Sequence, residues 1–246
     1  MKMDKNKVLE PLPSNEPLEW SRETIRRSDI PELPIIYYPL AALEKNDYID
    51  EIVLVIRAED KVRFDMNDLV SLFPTKPIVV SIGGENRYDS VYNGLLHAKG
   101  EISLIHDGAR PLLKQQYISD CIEAMGEYLG AIIGVKSVDR LCFVDEESGI
   151  VQKTDIKMAA YLAQTPQCFD KKTLISAHEK IANKSEVKDD STLLELCGYD
   201  VKMLPGHKAN IKITFPEDLI LAEKYINEDR ELSILRLELM SRSRSL

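Results

Sequence analysis

The sequence predicts an α/β fold with a mainly parallel, mixed sheet covered by helices on both faces and a projecting β-arm. Three observations carry that expectation. Short β-branched runs alternate with helical segments between residues 50 and 135, the rhythm of right-handed βαβ units. The chain has 246 residues, 44% hydrophobic and 30% charged, enough for one large α/β domain with a real core. After Val135 the rhythm breaks into a hairpin-like stretch.

The elements follow in order. Residues 1–33 are polar, carry Pro11, Pro13, Pro17 and Pro31, and show no strand-like run; Leu18–Arg27 has the pattern of a short helix. Pro34 opens a helix to about Lys45, since proline suits a first helical turn. Ile52–Ile56, Ile78–Val80, Ile102–Ile105 and Ala131–Val135 are short apolar runs that read as buried strands. Helices are expected at Tyr88–Ala98 and Gln115–Leu129. Leu141–Val144 and Ile150–Lys153, joined by a polar turn, form the hairpin of an arm covering about residues 137–157. Helices then fall at Lys172–Ala182 and Thr192–Cys197, with strands at Val201–Leu204 and Ile211–Ile213. A capping box from Thr214 to Glu217, with Pro216 inside the first turn, opens a helix to about Ile226. Leu232, Leu235 and Leu239 put an apolar stripe on a C-terminal helix. The expected division is an atypical segment 1–33, a main domain 34–228 and a helical tail 229–246.

Composition narrows function. The 32 basic and 41 acidic side chains leave a net charge of −9, a poor basis for gripping a polyanion, so nucleic acid is not an expected partner. No apolar run approaches the roughly 20 residues of a membrane span, and the first residues lack the apolar stretch of a secretory signal, so a cytoplasmic protein is expected. The 4 cysteines and 4 histidines are scattered without zinc-site spacing. All 11 glycines lie at Gly83 or later, so the front third lacks the residue that lets a backbone wrap closely around a phosphate.

Ligands in open α/β sheets bind beyond the carboxyl ends of the strands, and three segments fall there. Gly83-Gly84-Glu85-Asn86-Arg87 lies between a strand and a helix; it is either an anion site or a tight turn with a solvated Arg. His106-Asp107-Gly108-Ala109-Arg110 follows a strand; Asp107 could hold Mg²⁺ with Arg110 on a phosphate, or the two could form a structural ion pair. Lys212 interrupts an apolar stretch, which calls for an anion beside it or a place on a sheet edge. Asp189 and Asp190 precede a helix and read most simply as a cap and a first-turn acid.

Five motifs occur in one order: GGENRYDSV, HDGARP, AQTPQCF, the acid pair at 189–190 followed by LLELCGYDV, and NIKITFPEDL. Together they resemble the methylerythritol-phosphate cytidylyltransferase family of the non-mevalonate isoprenoid pathway, from about Pro34 to Asn227. The resemblance implies a Rossmann-like nucleotidyltransferase sheet, CTP and a sugar-alcohol phosphate as substrates, Mg²⁺ as cofactor, and a homodimer joined by the β-arm. It implies a nucleotide site at Gly83, Gly84, Glu85, Arg87 and Ser90. Asp107, with the metal, and Arg110, Lys157, Thr165 and Lys188 would serve the acceptor, and Lys212 the charged α-phosphate.

The chain departs from that pattern in front. The family opens with a strand and a glycine-rich loop, followed by a Pro-Lys-Gln sequence. Here no glycine precedes residue 83 and Glu32 stands where the lysine would follow Pro31, leaving Arg26 and Arg27 as the catalytic cations expected to substitute in part for it beside Lys212. Ser137-Val138 replaces an Asp-Thr pair, Lys157 an arginine and Lys188 a threonine. These differences leave a second expectation open: a catalytically impaired paralogue acting as a nucleotide-binding or regulatory dimer subunit.

Overall fold

The computed structural model describes residues 11–12, 33–63, 66–145, 147–152, 159–181 and 187–244. Arg26, Arg27, Lys157 and the helix expected at 18–27 lie outside them. The first elements are β1 (Pro11–Leu12) and β2 (Leu33–Pro34), paired antiparallel, and α1 (Tyr37–Lys45). Then come β3 (Ile52–Ile56), a 3₁₀ turn (Ala58–Arg63), α2 (Met66–Leu72), β4 (Ile78–Ile82), α3 (Arg87–His97) and β5 (Ile102–Ile105). α4 (Gln115–Ala124), β6 (Gly130–Lys136), β7 (Phe143–Val144) and β8 (Val151–Gln152) precede the long strand β9 (Tyr161–Asp170). The chain continues through α5 (Lys171–Lys180), α6 (Asp190–Leu196), β10 (Val201–Pro205), α7 (Pro216–Glu228) and α8 (Arg230–Ser243). No helix among the described residues is long and apolar enough to cross a membrane.

Among the described residues the strands do not form one sheet. β3 and β4 pair in parallel as a two-stranded sheet, while β10, β6, β9 and β5 form a four-stranded mixed sheet in that order. Within the larger sheet β10 runs parallel to β6, and β9 runs antiparallel to both β6 and β5. Helices cover both faces. Ile132 packs with Phe169, Leu174 of α5 and Leu193 and Leu194 of α6. Its neighbour Ile133 packs on the opposite face with Cys121 of α4, as strand alternation requires. A second core joins α1, β3, α2, α7 and α8, and Leu232, Leu235 and Leu239 bury the C-terminal helix in it.

Three readings from sequence need correction. β9 was not expected, because Gln164, Thr165, Pro166 and Gln167 hide a buried strand behind polar residues and a proline. No strand forms at 211–213; Ile213 instead donates to the Ala109 carbonyl at 2.8 Å and is buried by contact with the core. The box opening α7 lies one residue later, with the Asp218 carboxylate accepting from Thr214 and Phe215 N–H at 2.7 and 2.8 Å.

Candidate functional site

The site forms at the carboxyl ends of β4 and β5, with β9 beside them. Gly83 and Gly84 carry the chain from β4 to α3. The Gly83 N–H donates to the Ile56 carbonyl at 2.8 Å, and the Gly84 N–H to Ser90 Oγ at 3.1 Å. A Cβ on Gly83 would lie 2.7 Å from Ser90 Oγ, and one on Gly84 only 2.3 Å from Asp89 Cβ. Glycine is therefore required by close approach to the helix, not by an unusual backbone angle. Asn86 caps α3, its side chain accepting from the Asp89 N–H at 3.0 Å. Glu85 is exposed on the loop.

Asp107 is the hub. Its carboxylate lies 2.9 Å from Lys212 Nζ, 3.4 Å from Arg110 Nε and 3.7 Å from Arg87 Nε. Burial alone would raise the Asp107 pKa, but Lys212 and Arg87 outweigh it and hold the carboxyl below its ordinary value. The Arg110 guanidinium is fixed from behind by donating to the Asn210 carbonyl at 2.8 Å, and burial pushes its pKa down. Arg87 reaches past Asp107 to the buried Asp190 carboxylate at 2.8 Å. Burial pushes the Asp190 pKa up, with Arg87 opposing it.

A polar lattice holds the hub in place. The Asp107 N–H donates to Thr165 Oγ1 at 3.0 Å, and that hydroxyl lies 3.1 Å from His106 Nδ1. The other His106 nitrogen is 3.0 Å from the Arg110 carbonyl, and burial pushes the ring pKa down to about 4. Asn210 donates to the Thr165 carbonyl at 2.9 Å, while Gln164 donates to the His207 carbonyl at 2.9 Å. These contacts depend on an irregularity between β6 and β9, where Ile132 faces Gln167 but Gly134 faces Ala163. The extra residues on β9 include Thr165, and such a bulge re-aims side chains beside a site.

Gly83, Gly84, Arg87, Ser90 and Asp107 thus line one hollow, with Arg110, Thr165 and Lys212 around Asp107. Lys188 is exposed two residues ahead of α6. The sequence reading missed Asp190 as a partner of Arg87; the only signal was the acid pair itself. It also missed His106 and Asn210, which sit inside recognised motifs but carry no pattern of their own. Asp189 does cap α6, accepting from the Thr192 N–H at 3.1 Å.

No group of three or more His, Cys, Asp or Glu side chains among the described residues could hold a metal alone. The arrangement suits Mg²⁺ only as an ion bound chiefly by ligand phosphates, with Asp107 as one protein oxygen donor, a usual mode for this cation. Chemically, three cations around one carboxylate beside a glycine turn supply the charge and N–H donors that a phosphorylated ligand requires.

Comparison with known proteins gives a consistent picture. Residues 27–228 match the family described as IspD: 2-C-methyl-D-erythritol 4-phosphate cytidylyltransferase. The enzyme of that name from Caldanaerobacter subterraneus subsp. tengcongensis is 37% identical over 198 residues, 79% of this chain and 87% of that protein. The one from Nostoc punctiforme is 40% identical over 193 residues, 77% of this chain and 84% of that protein. The crystal structure of 4-diphosphocytidyl-2C-methyl-D-erythritol synthase from Anaerococcus prevotii has a TM-score of 0.72 at 32% identity, covering 81% of this chain and 88% of that one.

Proposed function

The chain belongs to the 2-C-methyl-D-erythritol 4-phosphate cytidylyltransferase family, and from that premise we propose that the cluster around Asp107 carries out the family's reaction. CMP passes from CTP to methylerythritol phosphate. A phosphate oxygen of the acceptor bonds to the α-phosphorus while the bond to the bridging oxygen breaks, and pyrophosphate leaves. Such transfers are driven by positioning and charge neutralisation.

The observation that carries the proposal is the convergence of Lys212, Arg110 and Arg87 on Asp107, next to the Gly83–Ser90 turn. The glycine turn and the start of α3 receive the nucleotide. Lys212, half exposed, is free to turn from Asp107 to the α-phosphoryl oxygens. Arg110 and Thr165 face the acceptor side, with Lys157 and Lys188 as further cations for its phosphate. When bound, Mg²⁺ would neutralise phosphate charge at Asp107. For the β-arm, support for a homodimer lies in its apolar side chains: Phe143, Val144, Ile150 and Val151 are each about half exposed on β7, β8 and the turn between them.

One observation favours a second reading, in which the chain binds nucleotide without turnover: no glycine precedes residue 83. A pyrophosphate-release assay with CTP, Mg²⁺ and methylerythritol phosphate, extended to pentitol phosphates, separates the two. Steady pyrophosphate release supports the enzyme; CTP binding with no release on any acceptor supports the binding subunit.

A further inference from the structure

Where β5 ends, side chains take over from the sheet ladder. The last paired residues are Ile105 and Gln167, so the antiparallel register sets Thr165 opposite Asp107, with Pro166 before Gln167. A proline has no N–H for the ladder, and the Thr165 carbonyl already accepts from Asn210 Nδ2 at 2.9 Å. The Asp107 N–H donates instead to Thr165 Oγ1 at 3.0 Å. From that hydroxyl the path runs to His106 Nδ1 at 3.1 Å, and from His106 Nε2 to the Arg110 carbonyl at 3.0 Å. The Arg110 N–H meanwhile donates to the Asp107 carbonyl at 2.9 Å, the bond that closes a four-residue turn. The two outward groups of that turn, the Asp107 N–H and the Arg110 carbonyl, thus both end on the pair His106 and Thr165.

The direction of each proton follows from what its partner can do. A carbonyl oxygen only accepts, so Nε2 carries the proton of the neutral ring and Nδ1 is a bare acceptor. The Thr165 hydroxyl must therefore donate to Nδ1, while its oxygen accepts from the Asp107 N–H. From this geometry we infer that His106 is a positioning residue for the acceptor side of the site: it takes up the Thr165 proton and clamps the turn 107–110, so that Asp107 and Arg110, the first and last residues of the turn, project side by side. Their contact of 3.4 Å is the result. Thr165 keeps no proton for a phosphate oxygen, which leaves phosphate groups to the cations. The glycine turn lies outside the clamp, held by the Gly83 N–H on the Ile56 carbonyl and the Gly84 N–H on Ser90 Oγ. Loss of the wiring should therefore reach the acceptor substrate and spare the nucleotide.

The inference rests on the reading of Asp107 and Arg110 as acceptor-side groups, but its first test needs no turnover. A long-range nitrogen–proton correlation spectrum of the isotope-labelled full chain near neutral pH should show His106 protonated on Nε2 and bare on Nδ1, the signals being assigned by their loss in H106Q. That spectrum decides even where a variant does not fold. H106Q keeps an N–H donor but loses the Nδ1 acceptor, and T165V loses the hydroxyl. Each should raise the KM for methylerythritol phosphate, or its calorimetric Kd, about tenfold, with the Kd for CTP changed by less than about twofold. The double variant H106Q/T165V should be no weaker than either single one, because both cut the same path. A proton on Nδ1, additive losses in the double variant, or CTP affinity falling in step with that of the acceptor overturns the inference. An Nε2 tautomer with acceptor binding weakened in both variants, but no pyrophosphate released by the unchanged chain, supports the wiring and defeats the catalytic reading alone.

Discussion

The two sheets of this molecule contribute differently to one site. The four-stranded sheet carries Asp107, Arg110 and Thr165, which are locked to each other by Asn210, His106 and Gln164, while the half-exposed Lys212 pairs with Asp107 from outside. The two-stranded sheet carries the Gly83–Ser90 turn and is tied to the larger one by Arg87 to Asp107 and Asp190, by Glu51 to Lys99 and Gly100, and through α3, where Tyr88 and Tyr92 donate to the His178 carbonyl and Glu179, and Leu95 packs with Ile132 and Phe169. The contrast teaches that the cluster around Asp107 is framed by a dense polar lattice, while the turn proposed to receive the nucleotide is held by its own hydrogen bonds and by the Arg87 ion pairs. Changes on the large sheet should therefore alter chemistry, and changes at the ties should alter stability and nucleotide affinity.

The largest effect is expected at Lys212. Lys212→Ala should lower turnover by about 10²–10³ with an unchanged melting curve, since one preorganised cation is removed from a half-exposed position. Steady-state pyrophosphate release with thermal melting checks it, and unchanged turnover removes Lys212 from the chemistry. Next comes the tie itself. Arg87→Ala leaves the buried Asp190 carboxylate unpaired and should cost about 2–3 kcal/mol near pH 7, with Asp190→Asn in the same chain recovering part of it. Denaturant titration of the double-mutant cycle decides; additive effects would mean that the pair does not couple the sheets.

Smaller, but sharper for the nucleotide turn, is Gly84→Ala. Its Cβ would press on Asp89 Cβ and move the start of α3, for about 1–2 kcal/mol and a raised KM for CTP with kcat little changed. Equal losses in kcat and kcat/KM would instead tie the turn to the chemical step. The smallest effect is a pH dependence. His106 is neutral in the fold with its pKa held down to about 4 by burial, below an unfolded value near 6.5. The unfolded chain therefore binds more protons between these values, and stability should fall as pH drops from 6.5 toward 4. His106→Gln should flatten that slope in denaturant melts; an unchanged slope assigns it to other groups.

What the sequence made legible follows from how local each signal is. Strands such as Ile52–Ile56 and helices such as Gln115–Ala124 announce themselves through periodicity, and Gly83, Asp107 and Lys212 through position at element ends. β9 was hidden because its buried interior is polar, with Gln164, Thr165 and Gln167 bonded to His207, Asp107 and Asp189 in place of an apolar run. Asp190 was hidden because its role is a contact with Arg87, some hundred residues distant in sequence. Arg26, Arg27 and Lys157 were expected near phosphate and lie outside the described residues.

The most direct test of the account is a CTP titration in the presence of Mg²⁺, followed by amide NMR of the labelled chain. The account predicts that Gly83, Gly84 and Ser90 on one sheet and Asp107 and Arg110 on the other shift together along one saturable curve. Shifts confined to one sheet, or none at millimolar CTP, would contradict a nucleotide site shared between the two.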